Sequence, residues 1–274
     1  MNEKETAYSP VYPGKVHFEL KGSIAVLTLD DPSTLNSLSL EMLASINLLF
    51  DKMAEDDNIR AVIITGEGRS FIAGANLKNA RVTDPSKITG PERREELLYI
   101  HRTLNKIADF PRPTIAAING YALGGGAELS LCCDFRFAST KAKIGFPETR
   151  LGGMPAYTGP TRAVRIIGVT AAKEMIYTAK NYTAEEAMKL GFVSRVFEPD
   201  RLMDGCMEFL NDIVSRAPLA VKYSKMMLNR TAEMSVDASL EMERMITGIL
   251  GSTYDWGEGM KAFAEKRTPE FQNK

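Results

Sequence analysis

Apolar and polar positions change their period along the chain, and the period names the elements. Between residues 16 and 30 they alternate: Val16, Phe18 and Leu20, a break at Lys21-Gly22-Ser23, then Ile24 to Leu29. Alternation folded about a glycine turn predicts a strand hairpin. From Ser39 the spacing lengthens to that of a helix, with Met42, Leu43, Ile46, Leu49, Phe50 and Met53 on one face and Ser39 placed to cap it. Ala61 to Gly66 is a short apolar run closed by glycine, which predicts a buried parallel strand. A loop carrying Phe71-Ile72-Ala73-Gly74-Ala75 is expected next. The polar stretch Val82 to Arg93, broken by Pro85, Gly90 and Pro91, predicts a mobile loop before a helix from about Glu92 to Ala108.

Thr114 to Gly120 reads as another buried strand, Ala127 to Cys133 as the following helix and Phe135 to Ala138 as a strand. This order of strand, glycine turn and helix predicts an α/β layout with right-handed crossovers. Beyond Thr170 the pattern turns helical. Segments Ala171 to Thr178 and Thr183 to Leu190 are expected, the second closed by Gly191, with three more from about residue 200. Met226, Met227, Met242 and Met245 leave apolar surface on this tail, which must pack on the core or on another subunit. The division expected is a catalytic core over residues 1–200 and a helical region over 201–274.

Lys plus Arg (34) and Asp plus Glu (35) nearly cancel, so no global field favours nucleic acid or an anionic membrane. Three cysteines, two adjacent at Cys132 and Cys133, form neither a disulfide framework nor a metal spacing, which suits a reducing cytosol. The polar, mixed-charge start without an apolar run predicts no signal peptide or membrane span, hence a cytoplasmic protein. With only His17 and His101, a zinc site or a histidine-based triad is disfavoured. Carboxylates remain as the acid/base candidates.

Two of them stand out. Glu128 follows the turn Gly124-Gly125-Gly126 at the head of an apolar helix, and Glu148 lies 20 residues on in Gly145-Phe146-Pro147-Glu148. Consecutive glycines cost backbone entropy, and are kept where φ must be positive or an N–H must approach a ligand closely. That is the outline of an oxyanion hole. Spacing alone leaves other readings open: surface or helix-terminal glutamates, and glycines serving tight strand-to-helix packing.

Together these residues resemble the crotonase, or enoyl-CoA hydratase/isomerase, superfamily. The motifs are Phe71 to Ala75, Pro113 to Gly120, Gly124-Gly125-Gly126-Ala127-Glu128-Leu129, Cys133-Asp134, Phe146-Pro147-Glu148 and the tail Glu258 to Arg267, so the resemblance spans nearly the whole chain. It implies a spiral of ββα repeats with a C-terminal helical trimerisation region, an acyl-CoA thioester as partner, and trimers or dimers of trimers. It also implies backbone N–H groups of Ala75 and Gly125 on the thioester oxygen, Glu128 activating water and Glu148 exchanging the proton at C2. Leu35, Ala73, Asn76, Leu77 and Lys78 would line the acyl-CoA site together with Gly124, Pro147 and Tyr157. Phe263 and Lys266, three apart on a predicted helix and so on one face, would close over the nucleotide end. Coenzyme A enters as part of the substrate, and no separate cofactor, metal or nucleic acid is expected.

The chain also departs from the family pattern. After the second glutamate it reads Met154-Pro155-Ala156-Tyr157-Thr158-Gly159, with Ala156, Tyr157 and Thr158 at small or glycine positions. Asn76 replaces an acidic residue, and Thr34 replaces a basic one before Leu35-Asn36. The first expectation is an enoyl-CoA hydratase. The alternatives are an isomerase, a hydrolase or retro-Claisen enzyme acting on a cyclic or β-oxo acyl-CoA, and a binding homologue for acyl-CoA or RNA without turnover.

Overall fold

The computed structural model describes residues 8, 9, 11–75, 84 and 88–274. The predicted hairpin is β2 (Val16–Lys21) and β3 (Ile24–Leu29); Lys21 pairs with Ile24, and the turn is Gly22-Ser23 with Gly22 at φ 62°. A short β1 (Val11–Tyr12) covers only Val16 and His17, so the far half of β2 is bare and Leu20 is exposed despite the alternation. Ser39 caps α1 (Leu40–Glu55) by accepting the Met42 N–H, and β4 (Ala61–Gly66) is buried throughout and parallel to β3.

From β4 onward a two-sheet unit recurs. A longer strand runs in the large sheet, the chain turns a corner into a three-residue strand of a smaller sheet, and a helix carries it back. The long strands are β4, β6 (Thr114–Ile118) and β8 (Phe135–Ser139); the short ones are β5 (Ser70–Ile72), β7 (Tyr121–Leu123) and β9 (Lys143–Gly145). The returning helices are α2 (Gly90–Ala108), α3 (Gly125–Ser130) and α4 (Gly159–Thr178), the last broken at Gly168 with φ 77°. Three ββα turns of this kind make a spiral. With β10 (Tyr182–Thr183) and β11 (Arg195–Phe197), the large sheet has the order β1-β2-β3-β4-β6-β8-β11 and the small one β10-β9-β7-β5. Asn119 fastens neighbouring corners: its Oδ1 accepts from Gly66 N and its Nδ2 donates to Gly68 O.

Several expected boundaries move. Phe71 and Ile72 belong to β5 rather than to a loop. Gly90 and Pro91, read as breakers, open α2 behind a capping box of Thr89 and Glu92, because proline in the first turn lacks only an N–H that has no helical partner there. The helix expected from Ala127 begins at Gly125, and the one expected from Ala171 begins at Gly159. The remainder of the expected 82–93 loop falls mainly outside the described residues.

The main core lies between the two sheets and α1 to α5 (Ala184–Lys189), with Phe50, Phe71, Phe146 and Phe192 fully buried. A second apolar layer on the other face of the large sheet is covered by α6 (Leu202–Val214) through Leu202, Cys206 and Leu210. Then follow α7 (Pro218–Thr231), α8 (Val236–Gly251) and α9 (Tyr254–Glu265). Beyond residue 200 there are thus four helices where three were expected, since Ser235 and Thr253 each cap a new one. Asp134 ties α7 to the core: its Oδ2 accepts from Lys225 Nζ at 2.7 Å and from Thr114 N at 2.8 Å. Cys132, Cys133 and Cys206 are free and buried. Among the described residues no helix is long and apolar enough to cross a membrane.

Candidate active site

The small sheet collects the chemistry. Strands β5, β7 and β9 lie side by side and parallel, and the chain leaving their carboxyl ends carries Ala73 to Ala75, Gly124 to Glu128, and Pro147-Glu148 respectively. Carboxyl ends of adjacent parallel strands are where α/β proteins gather ligand groups. Leu35 joins them, its carbonyl accepting from Ala73 N at 3.1 Å, and Leu38 N donates to Gly74 O at 3.0 Å.

The glycine turn has local reasons for its composition. Gly124 sits at φ 52°, ψ −119°, and a methyl group there would collide with Glu148 Oε1. Gly126 packs on the Ile72 carbonyl of β5 with no room for a side chain. Gly125 opens α3, where a backbone N–H has no partner within the helix. A Cβ on Gly124 would stand 3.8 Å from Gly74 Cα, so the segment ending in Ala75 and the glycine turn adjoin.

Glu128 is 2% exposed, and its Oε1 accepts three backbone N–H groups, from Tyr157 at 2.8 Å, Thr158 at 3.0 Å and Gly159 at 2.7 Å. All three bonds fall on one oxygen. Burial pushes the carboxyl up to about 7; the three N–H groups oppose the rise and the charge of Glu148 adds to it. Glu148 stands in a 3-10 turn (Pro147–Leu151), and its Oε2 is buried without a hydrogen-bond partner. Burial raises this carboxyl too, opposed only by its own backbone N–H. Two carboxyls in one poorly solvated place disfavour double ionisation, so the pair holds a proton near neutral pH.

Tyr157 lies against the glycine turn: a Cβ on Gly125 would stand 3.0 Å from its Cδ2 and 3.7 Å from Leu38 Cδ2. Burial, with the charges of Glu96 and Glu128, pushes the phenol up to about 12. Thr158 is held at φ 146°, a conformation β-branched residues rarely adopt.

Leu35, Ala73, Ala75, Gly124, Gly125, Glu128, Pro147, Glu148 and Tyr157 therefore come together. Asn76, Leu77 and Lys78 lie outside the described residues. Phe263 and Lys266 are not joined to this cluster by any hydrogen bond or ion pair among the described residues. They do not share a helix face as expected, because Lys266 leaves α9 in the left-handed conformation at φ 56°, while Phe263 is 84% exposed. Sequence reasoning missed His101, Leu38 and Gly159 as parts of this neighbourhood. His101 and Leu38 bond to backbone carbonyls and Gly159 donates its backbone N–H to Glu128, each across more than thirty residues of chain, for which the residue pattern holds no signal.

Comparison with known proteins agrees with this architecture. Residues 19–274 match the family model described as enoyl-CoA hydratase/isomerase. The short-chain-enoyl-CoA hydratase of Clostridium acetobutylicum is 38% identical over 261 residues, 94% of this chain and 98% of that one. The crotonyl-CoA hydratase of Syntrophomonas wolfei is 35% identical over 257 residues, 93% and 97% of the two chains. The crystal structure of an enoyl-CoA hydratase from Bacillus anthracis superposes with a TM-score of 0.89 at 35% identity, covering 94% of this chain and 99% of that one. Two adjacent sheets wound from ββα turns, a glycine turn before a buried glutamate and this likeness over nearly the full length have one common explanation: the chain is an enzyme of the crotonase superfamily and belongs to its enoyl-CoA hydratase/isomerase family.

Proposed function

We propose that this enzyme adds water across the 2,3 double bond of an enoyl-CoA thioester. The observation that carries this reading is the pair of carboxyls in unlike surroundings beside one glycine turn. Three N–H donors on Glu128 Oε1 favour its ionised form, whereas Glu148 has a buried oxygen without a partner. In the form that reacts, Glu128 is ionised and the proton rests on Glu148. Glu128 takes a proton from water as the water oxygen bonds to C3, and the electrons of the double bond move onto the thioester oxygen. The Ala75 and Gly125 N–H groups stabilise that enolate, and Glu148 delivers its proton to C2. The saturated 3-hydroxyacyl thioester leaves, and proton transfer from Glu128 to Glu148 through water restores the resting pair.

Loss of the conjugated-thioester absorbance of crotonyl-CoA tests the reading. Glu128→Gln and Glu148→Gln are each expected to lower kcat by roughly 10²- to 10⁴-fold, the usual contribution of a positioned acid or base. Wild-type enzyme that binds saturated thioesters without consuming crotonyl-CoA would sink it. In that event the ring of Tyr157 against Gly125 favours the second reading, cleavage of a cyclic or β-oxo acyl-CoA.

A further inference from the structure

Helix α2 reaches the cradle of Glu128 through one side chain. His101 Nε2 lies 2.7 Å from the carbonyl oxygen of Ala156. A carbonyl only accepts, so Nε2 carries the hydrogen and His101 is the donor. The peptide that begins with this carbonyl ends with the Tyr157 N–H, which donates to Glu128 Oε1 at 2.8 Å. No peptide among the described residues is cis, so the C=O and N–H of this unit point in opposite directions. The imidazole and the carboxylate therefore occupy the two ends of a single amide dipole.

An amide whose oxygen accepts a hydrogen bond becomes a stronger donor at its nitrogen, because bonds in series polarise one another. One turn further along α2, Asn105 Oδ1 accepts from Arg162 at the start of α4 at 2.7 Å, so α2 is tied to the chain before and after the three donors. This loop carries the bulky Tyr157 and the β-branched Thr158, and Thr158 holds a conformation that costs energy. A loop of that composition needs an external fastening, and His101 is placed to supply it.

We propose that His101 is a positioning residue for Glu128, fixing and polarising the Ala156–Tyr157 peptide so that the carboxylate stays ionised and correctly aimed at water. The proposal rests on Glu128 as the base of the reaction. It assigns a role in the chemical step to a side chain that touches neither substrate nor carboxylate.

The test is steady-state hydration of crotonyl-CoA by His101→Phe, which keeps a ring of similar size without the donor, and by His101→Gln, whose amide N–H can reach the same carbonyl. For His101→Phe, kcat is expected to fall about tenfold with KM within about twofold, the pattern of an interaction that matters at the transition state. For His101→Gln, most of the lost rate is expected to return. Wild-type kcat in His101→Phe, equal losses in both variants, or a loss confined to KM would each overturn the proposal. Thermal melts and affinity for butyryl-CoA are read on the same samples. Should His101→Phe not fold, His101→Ala replaces it against the same Gln control, since the position is only half-buried. Glu128→Gln run alongside separates the two levels: an inactive Glu128→Gln beside a fully active His101→Phe removes only the role of His101, whereas an active Glu128→Gln removes the reading of the base itself.

Discussion

The surroundings of Glu128 and the surface of the last three helices are built on opposite terms. Every residue of α3 is buried, and the Glu128 carboxylate finds its donors within the same chain. By contrast α7 buries only Met227 and α8 only Ser239, while Leu228, Val236 and Phe263 are 75%, 74% and 84% exposed. In the first region, the donors on Glu128 Oε1 all come from the same chain. The second carries large exposed apolar side chains, the mark of an interaction surface. We propose that further copies of the chain cover it, and that the helical region serves assembly while the spiral serves chemistry.

The contrast breaks most severely at Gly124. In Gly124→Ala the new methyl must share space with Glu148 Oε1 and adopt a positive φ. It is expected to cost about 10²-fold or more in kcat and roughly 1–3 kcal/mol of stability, with assembly intact. Near-normal turnover would separate Glu148 from the glycine turn.

Next in size is a dependence of stability on pH. The Glu128 carboxyl rises from 4.5 to about 7 on folding, so the native state holds a proton that the unfolded chain releases. Its contribution is therefore favourable below pH 4.5 and is lost as pH rises through 7. Glu128→Gln escapes that loss. It is expected to match wild type near pH 4 and to exceed it by up to about 3 kcal/mol at pH 8, read as a widening gap between urea midpoints. A constant gap would show that the three N–H groups cancel the effect of burial.

A smaller effect is expected from Thr158→Gly, which relieves φ 146°. Strain of roughly 1–3 kcal/mol is released against about 1 kcal/mol of added chain entropy, leaving a net gain near 1 kcal/mol in chemical denaturation. A loss would mean that the threonine side chain, 3.6 Å from Cys132 Sγ, holds the loop. The smallest change in stability belongs to the other region. Leu228→Glu with Met245→Glu places charge on exposed positions, so each should shift folding by no more than about 0.5 kcal/mol. Light scattering should nonetheless show the assembly falling apart. An unchanged mass would free that face of any role in association.

How far the sequence could be read follows the same division between local and distant causes. The hairpin, α1, β4 and the Gly191 turn were legible because periodicity and caps are local. β7 and β9 escaped because three residues show no period, and the start of α2 escaped because Gly90 and Pro91 break a helix only in its interior. Of the candidate site, motif order singled out the two glutamates and their glycines, which the fold brings side by side. The cradle around Glu128 was not legible, since its donors are backbone N–H groups some thirty residues away, supplied by residue types that carry no such signature.

The parallel trio β5, β7 and β9 has one more consequence. Neighbouring strands stand about 4.8 Å apart, and on the proposed function each would deliver a different kind of group: an amide donor, a donor with a base, and an acid. The proposed reaction would then be spelled out across the end of a sheet, one letter per strand. The ends are not independent, since a methyl on Gly124 at the end of β7 would reach Glu148 after β9. On the proposed function, a change at one strand end is therefore felt at its neighbour, and the three groups would have to be tuned together.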